Sequence, residues 1–168
     1  MKTENELNME LTVINPGAVL GPTLSDDIDG ESLNICKELL TGKMPGIPNL
    51  NISMVDVRDV AKHHIQLMTL PGTQNKRYIS SHEKPTAFLE FSKTLKENGY
   101  KVPTNKVPTI LLKLMAIFDP KVKGMLPFLD RKVECDNSAT IKDLNWSPRP
   151  LKETFLDMAK SVKSVLDK

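Results

Sequence analysis

A proline–glycine turn that follows a buried strand is the part of the sequence best suited to contact a ligand. The run LTVI at 11–14 is rich in β-branched residues and predicts a buried strand, and NPGAVLGP follows it at 15–22. Ligands of open α/β sheets bind beyond the carboxyl ends of the strands. Because proline lacks an N–H and glycine lacks a side chain, a flat ring can approach this backbone closely, and its free carbonyl and N–H groups can bind a carboxamide. The alternative is a plain turn from strand to loop, which the residue types alone favour.

Other motifs that carry chemistry are missing from the sequence. The eight glycines form no G-x-G-x-x-G, and no G-K-[ST] occurs, so no phosphate loop of the usual kind is predicted. His63 and His64 are adjacent on a predicted helix and point about 100° apart, so they cannot both face one ion. Neither Cys36 nor Cys135 has a histidine close by in the sequence. The sequence therefore predicts no metal site and no nucleophilic cysteine.

The elements that must position this turn alternate between strand and helix in the first half of the chain. Strands are predicted near 11–15, 52–55 and 77–81, with a loop at 18–30. This order implies parallel strands joined by helical crossovers, and three strands make an incomplete sheet. Helices are predicted at 31–41, 56–69, 86–98, 110–118, 121–129, 137–144 and 151–168.

The helix at 56–69 has the clearest pattern of capping and amphipathic residues. Asp56 is predicted to be its N-cap, and Asp59 is also assigned a capping role. Arg58 is left open as a surface or a pocket charge. Trp146 is predicted to anchor the core beneath the last helix. The apolar spacing predicts an inner face formed by Val57, Val60, Ala61, His64, Leu67 and Met68.

Length and charge exclude several classes of protein. The 168 residues are expected to form a single unit, and 23 Lys and Arg against 21 Asp and Glu give a formal net charge of +2. This balance does not indicate a nucleic-acid partner. The first eleven residues, MKTENELNMEL, are polar and acidic, unlike a secretory signal, and the apolar run 110–118 is too short to span a bilayer. A cytoplasmic protein with no membrane partner is expected.

Four segments, in order, resemble one known family. LTVINPGAVLGP at 11–22 resembles the sixth-strand segment of extended short-chain dehydrogenases/reductases, and SMVDVRDVA at 53–61 resembles the segment where that family re-enters its core. KRYIS at 76–80 is similar to the strand that follows. The stretch 135–155 is similar to the family's D-N-S-K…L-G-W-x-P-R region, with Asn145 in place of the usual glycine. The closest resemblance is to the dihydroflavonol-reductase-like branch of this NAD-dependent epimerase/dehydratase family.

The resemblance implies the C-terminal half of such an enzyme. The implied fold is α/β: a partial parallel Rossmann-type sheet of C-terminal strands with a mainly helical substrate lobe at about 82–168. The loop at 43–54 and the helices at 86–129 would wall the substrate pocket. The resemblance implies a partial NAD(P)H site formed by backbone atoms of Pro16, Gly17, Ala18 and Val19, and a substrate lining that includes Ala18, Leu20 and Met54.

The family's proton-donor motif is missing from these residues. Tyr78 is followed four residues later by His82, and Tyr100 by Thr104, so no Tyr-x-x-x-Lys is present and no catalytic residue is predicted in the chain. We therefore expect the substrate-binding portion of an NAD(P)-dependent oxidoreductase, inactive alone, from a carbonyl, aldehyde or dihydroflavonol-type reductase or a sugar epimerase/dehydratase relative. It would be a fragment whose partners are a small carbonyl substrate and the missing N-terminal half. The alternative is a non-catalytic binding module that self-associates through exposed strand edges.

Overall fold

A computed structural model of the protein describes residues 10–168, except for the side chain of Lys121. Residues 1–9, which hold most of the predicted polar N-terminal segment, lie outside the described part. The strands are β1 (Val13–Pro16), β2 (Ala18–Leu20), β3 (Asn51–Ile52), β4 (Met54–Asp56), β5 (Arg77–Ser80) and β6 (Thr86–Ala87). The helices are α1 (Glu31–Leu40), α2 (Val57–Thr69), α3 (Phe88–Glu97), α4 (Thr109–Met115), α5 (Pro120–Met125), α6 (Ser138–Leu144) and α7 (Leu151–Leu166), with a short 3-10 helix at Leu126–Phe128.

The strands form three two-stranded sheets. β1 pairs with β5 in parallel, β2 pairs with β4 in parallel, and β3 pairs with β6 antiparallel. The α/β class with short parallel strands is confirmed. The prediction of a loop from residue 18 is wrong at its start, because Ala18–Leu20 continues as β2 beside a new partner strand. Three apolar residues between two glycines are too short a run to be recognised as a strand.

The main core lies between the parallel strands and three helices. α1 and α3 both pack against α7, and α7 also contacts β2 and β4. The predicted inner face of α7 is confirmed at four positions, where the side chains are fully buried or nearly so. These are Phe155, Met158, Ala159 and Val162.

The predicted inner face of α2 is wrong. His63 is fully buried and Asp59 nearly so, whereas His64 and Met68 are exposed. The helix is turned by about one residue because the buried side offers polar partners: Ser80 hydrogen-bonds His63, and the region of Trp146 hydrogen-bonds Asp59. A count of apolar residues cannot detect such partners, since they come from distant segments. Ala61 is also exposed, as is Val57, while Val60 and Leu67 are partly buried.

The loop before β3 organises the helical lobe. The Ile47 N–H donates to the Asn105 carbonyl at 2.8 Å, and the Val107 N–H returns to the Ile47 carbonyl at 2.9 Å. The Phe88 N–H donates to the Leu50 carbonyl at 2.9 Å, which fixes the start of α3. This loop therefore runs through the lobe with its backbone hydrogen-bonded on both sides. None of the helices within residues 10–168 has the length and apolar character needed to cross a bilayer.

Candidate functional site

Gly17 carries the chain from one strand pair to the next. It is the single residue between β1, which pairs with β5, and β2, which pairs with β4. The Gly17 N–H donates to the Ser80 carbonyl at 3.0 Å, and the Ala18 N–H donates to the Ser53 carbonyl at 2.9 Å. The expectation that these N–H groups stay free for a carboxamide is therefore wrong, because the crossing between strand pairs uses both of them.

The crossing requires a residue without a side chain. A Cβ added to Gly17 would lie 2.4 Å from the Ser53 carbonyl oxygen and 2.5 Å from Ser81 Oγ. Neither atom is the end of a long flexible side chain, so any larger residue would push the strands apart. The glycine serves close packing of protein against protein on that side of the turn.

The four residues assigned to the cofactor lie in sequence along this crossing. Pro16 is exposed at the end of β1, while Gly17, Ala18 and Val19 are half-buried. Their accessible surface is thus greatest at Pro16 and decreases as the chain enters β2. A ligand can reach this backbone from the Pro16 end.

The two other residues assigned to the substrate lie in the core. Leu20 is buried and Met54 is almost completely so, and both belong to the main core cluster. Met54 is the register partner of Ala18 across β2 and β4. Of the three positions, the structure leaves Ala18 the most accessible, and the roles of all three remain predictions.

Polar side chains from the C-terminal stretch fasten the strand ends. Asn137 Nδ2 donates to the Ser81 carbonyl at 2.7 Å, just beyond β5. Thr140 Oγ1 donates to the Ile79 carbonyl at 2.7 Å. Both donors belong to the stretch around α6 that carries the family resemblance. Asn145, which ends α6, has φ 46° and ψ 48°, the left-handed conformation expected where the family has glycine.

Asp56 joins the end of β4 to the last helix. Its carboxylate, fully buried, accepts hydrogen bonds from the Arg58 backbone N–H and guanidinium, all at 2.8 Å, and from Thr154 Oγ1 at 2.7 Å. Burial alone would raise the pKa of Asp56, but the hydrogen bonds from Arg58 and Thr154 outweigh it and hold the pKa below its usual value. The predicted N-cap is confirmed, and Arg58 also contacts Asp157 at 2.7 Å.

Asp59 is a buried acceptor, and the capping role assigned to it is wrong. Its Oδ2 accepts from Trp146 Nε1 at 3.1 Å and from the Arg149 backbone N–H at 3.0 Å. Trp146 is buried, as predicted, but it packs in a second small cluster with Val55 and Leu144. The one sequence signal for this contact was that Trp146 and Arg149 belong to the same family-like stretch.

His63 lies directly beneath the strand ends. Its Nδ1 is 2.8 Å from Ser80 Oγ, and its ring meets the Trp146 ring edge-on at a centroid distance of 4.7 Å. The pKa of His63 is lowered, chiefly because burial disfavours the charged ring. The ring is therefore neutral in the folded protein at neutral pH.

The other reactive side chains are occupied or protonated. Burial raises the pKa of Cys36 to about 12, so its thiol carries no nucleophilic thiolate at neutral pH. Tyr78 is buried and its hydroxyl donates to Asp143 Oδ2 at 2.9 Å. Within residues 10–168 no group of three or more His, Cys, Asp or Glu side chains is arranged to hold a metal ion.

A cavity of about 450 Å³ lies between residues 10–14, which include the start of β1, and the C-terminal end of α2. Ile14 of β1 and Thr12, just before that strand, line the cavity on one side. Leu67 and Met68 of α2, and Leu70 just after that helix, line it on the other. Among the described residues β1 pairs with β5 alone, so its second edge has no strand partner.

Comparison with curated proteins finds reductases. The chain is 26% identical over 175 residues to an oxidoreductase of Saccharomyces cerevisiae, covering 96% of this chain and 45% of that protein. It is 30% identical over 162 residues to cinnamoyl-CoA reductase 2 of Arabidopsis thaliana, covering 96% of this chain and 43% of the reductase. The chain is homologous to the extended short-chain dehydrogenases/reductases. No family model matches it.

Solved structures of this reductase and epimerase family share the fold. Yeast methylglyoxal/isovaleraldehyde reductase Gre2, complexed with NADPH, superposes with a TM-score of 0.68 at 24% identity, covering 95% of this chain and 48% of Gre2. UDP-glucose 4-epimerase of Thermotoga maritima, with UDP-glucose, superposes with a TM-score of 0.70 at 20% identity, covering 97% and 49%. The chain spans about half the length of these relatives, and its Rossmann-type fold is confirmed.

Proposed function

We propose that the chain is the substrate-binding portion of an NAD(P)-dependent oxidoreductase that acts on a small carbonyl compound. The observation that carries this proposal is the match of nearly the whole chain to less than half of each reductase. The glycine-rich loop and the Tyr-x-x-x-Lys pair would then lie in a segment outside these 168 residues. This segment would hold most of the coenzyme and the proton donor.

We infer that the chain supplies one wall of the nicotinamide site. Pro16 is exposed, and the half-buried backbone of Gly17, Ala18 and Val19 continues from it, which fits a flat ring resting on the outer side of the crossing. The fit is partial because two backbone donors already serve the strands. Bound NAD(P)H would supply the hydride. The residues of this chain would position its ring, with Ala18 facing the substrate and Leu20 and Met54 supporting Ala18 from the core.

The open edge of β1 supports the N-terminal half as the partner. A strand with one unpaired edge can accept another strand through its backbone groups. Near β1, the side chains of Leu11, Met68 and Leu70 are exposed, and they line the 450 Å³ cavity together with Ile14 of β1. Apolar side chains next to an unpaired strand are what a packed second half of the sheet would cover. We also propose a cytoplasmic location, which the two free thiols, Cys36 and Cys135, support.

The decisive experiment supplies the second half in trans. The purified chain is mixed with a polypeptide that carries the glycine-rich loop and Tyr-x-x-x-Lys from the reading frame of a full-length relative, and assembly is followed by gel filtration. We expect NADPH oxidation that depends on an added aldehyde from the complex and none from the chain alone. Brisk turnover by the chain alone, or a demonstrably assembled complex without activity, would overturn the proposal.

A matched pair of variants locates the contact. Met68→Asp places a charge beside the open β1 edge and should weaken assembly at least about tenfold, because a buried charge without a partner is costly. Leu24→Asp changes a fully exposed loop residue and should leave assembly unchanged. Equal effects of the two variants would place the contact elsewhere.

The second candidate function is a non-catalytic binding module that self-associates. The same open edge of β1 favours it, because two copies could pair edge to edge. Sedimentation of the chain alone separates the two functions: a concentration-dependent dimer abolished by Met68→Asp would favour the module. A monomer with a cooperative melt would favour the reductase portion.

A further inference from the structure

A stripe of large apolar side chains on the outer side of α4 is exposed to solvent. The helix buries Leu112 and Ala116 on its inner side, one turn apart. The opposite side continues through the turn that follows α4, where Ile117 is 71% exposed and Phe118 is 89% exposed. Ile110, 73% exposed, begins the stripe. The lobe stripe, as we define it, consists of Ile110, Leu111, Leu114, Met115, Ile117 and Phe118.

Helical spacing places Ile110 and Leu114 on the side of α4 opposite Leu112, with Leu111 and Met115 together on one flank. Ile117 and Phe118 belong to the turn that follows the helix, where their N–H groups donate to the Leu114 and Met115 carbonyls. α4 therefore has an apolar inner side that the core explains and an apolar outer side that the core does not. Apolar patches that lie on one face of a helix are more informative than scattered exposed residues.

The segment that contains this stripe is rich in positive charge: Lys113 lies on α4 itself and Lys123 on α5, which contacts α4. Segment 101–132 contains seven Lys and Arg and two Asp, a net charge of +5, so the rest of the chain carries −3. Lys113, Lys123, Arg131 and Lys132 are exposed. Across the described part of the chain no ion pair engages any of these four side chains. The cations are thus available to an external negative charge.

The combination of charge and apolar side chains selects the occupant. A second copy docking through the same stripe would bring two segments of net charge +5 close to each other, which like-charge repulsion opposes. The unpaired β1 edge, where a second half of the sheet would add, is formed by other elements, namely β1 and α2. A helix with apolar side chains toward the outside and lysines around them is typical of segments that lie in the headgroup region of anionic bilayers.

We propose that the lobe stripe and the cations around it bind the surface of an anionic lipid membrane. The side chains of Ile110, Leu114 and Phe118 enter the boundary between headgroups and acyl chains, while Lys113 and its neighbours meet lipid phosphates and carboxylates. This contact differs from the expectation of no membrane partner, because a helix lying in the interface needs no spanning length. The inference does not depend on the proposed reductase function.

The test measures co-sedimentation of the full chain with large unilamellar vesicles. We expect binding to vesicles of phosphatidylcholine that contain about 30% phosphatidylserine. Binding should be at least about tenfold weaker to vesicles of phosphatidylcholine alone, and also in about 0.5 M NaCl, where the charges are strongly screened. Lys113→Glu/Lys123→Glu/Lys132→Glu should weaken binding by at least about 100-fold, since each lost cation costs about fivefold and each new carboxylate is repelled by the anionic lipids. Leu114→Ser/Phe118→Ser should also abolish binding.

Matched variants keep the result specific. Lys142→Glu/Lys152→Glu/Lys160→Glu makes the same change in net charge on the exposed faces of α6 and α7 and should bind as the unmodified chain does. Circular dichroism confirms that each variant is folded. Equal loss in both charge variants would show that total charge alone drives adsorption, and would overturn the proposal.

Other occupants give distinct outcomes. Absence of vesicle binding together with a dimer that Leu114→Ser/Phe118→Ser dissociates would assign the stripe to a second copy. Absence of vesicle binding together with loss of trans assembly in the same variant would assign it to the N-terminal half. Either result overturns the lipid proposal and leaves the activity test of the reductase proposal unaffected.

Discussion

Around the strand ends, buried polar side chains join segments that are far apart in the sequence. In the lobe from α4 to the 3-10 helix, the contacts are apolar packing and backbone hydrogen bonds between residues three or four positions apart. Asp56 meets Thr154, and Asp59 meets Trp146, across separations of 98 and 87 residues. In the lobe the Ala116 N–H donates to the Leu112 carbonyl and the Phe118 N–H to the Met115 carbonyl.

This difference separates a framework from an adaptable surface. A buried hydrogen-bond network is costly to break at any one member, so it fixes the positions of the strand ends where a coenzyme would be met. An apolar layer tolerates changes in side-chain shape as long as its total volume is kept. A lobe built in the second way can change the shape of its surface while the strand ends remain in place.

The strongest way to break this comparison is Asp56→Ala. It removes the acceptor of Arg58 and Thr154 and leaves the buried Thr154 hydroxyl without this partner, so we expect a loss of about 3 kcal/mol in the free energy of unfolding. Asp157→Ala removes the more exposed partner of Arg58 and should cost below about 1 kcal/mol. Urea unfolding measures both. Similar losses from the two variants would show that the buried network is not what stabilises the framework.

Gly17→Ala tests the crossing between the two strand pairs. The added Cβ meets the Ser53 carbonyl oxygen and Ser81 Oγ, so the strands must shift, and we expect a loss of about 1–3 kcal/mol. Gly124→Ala is the control, because nothing lies within 4 Å of its added Cβ in α5. That variant should be neutral or gain up to about 1 kcal/mol from helix propensity. Thermal unfolding of both variants checks the difference, and a neutral Gly17→Ala would contradict the close packing.

The contrast between Gly17 and α2 also shows what the sequence can predict. The helices were largely predictable because their apolar spacing and their glycine or proline ends are local signals, as at α1 and α7. β2 was not predictable, since its identity depends on β4, more than thirty residues away. The segment was singled out from its proline–glycine turn, and the family resemblance assigned a cofactor role to it. The hydrogen bonds of its N–H groups to the Ser80 and Ser53 carbonyls are set by tertiary structure.

The same limit explains the error in α2. The periodic pattern placed His64 inward, whereas the fold buries His63 because Ser80 and Trp146 offer it a hydrogen bond and an aromatic edge. Apolar periodicity ranks residues by their average preference for burial, and it does not take into account a hydrogen-bond or aromatic partner from a distant segment. Polar residues that end in the core are therefore the ones that such patterns misplace.

The pH dependence of stability distinguishes the two neighbouring histidines. The folded-state pKa of His63 lies below its unfolded value of about 6.5, so the unfolded chain binds more protons as pH falls below that value, and stability decreases. We expect a slope of up to about 1.4 kcal/mol per pH unit below pH 6.5, measured by urea unfolding in a pH series. His63→Asn should remove this slope in stability, and His64→Asn should keep it.

The lowered pKa of Asp56 adds a separate loss of stability, which starts only below about pH 4. A slope that disappears with His64→Asn would contradict the buried position of His63.

The smallest expected effect is on the lobe, where Phe118→Ala should change the free energy of unfolding by no more than about 0.5 kcal/mol. The side chain is almost fully exposed, so truncating it leaves no cavity and no unpaired polar group. Phe91→Ala in α3 is the matched change at a fully buried ring that packs on Phe155, and it should cost about 3–5 kcal/mol. Calorimetry of the two variants measures the contrast. A loss of about 2 kcal/mol or more at Phe118 would approach the cost of truncating a buried ring. Such a loss would mean that the lobe stripe is covered within the protein itself, which would contradict both the adaptable surface and the membrane contact. A near-neutral result would show that Phe118 adds nothing to the stability of the fold, as the membrane contact requires.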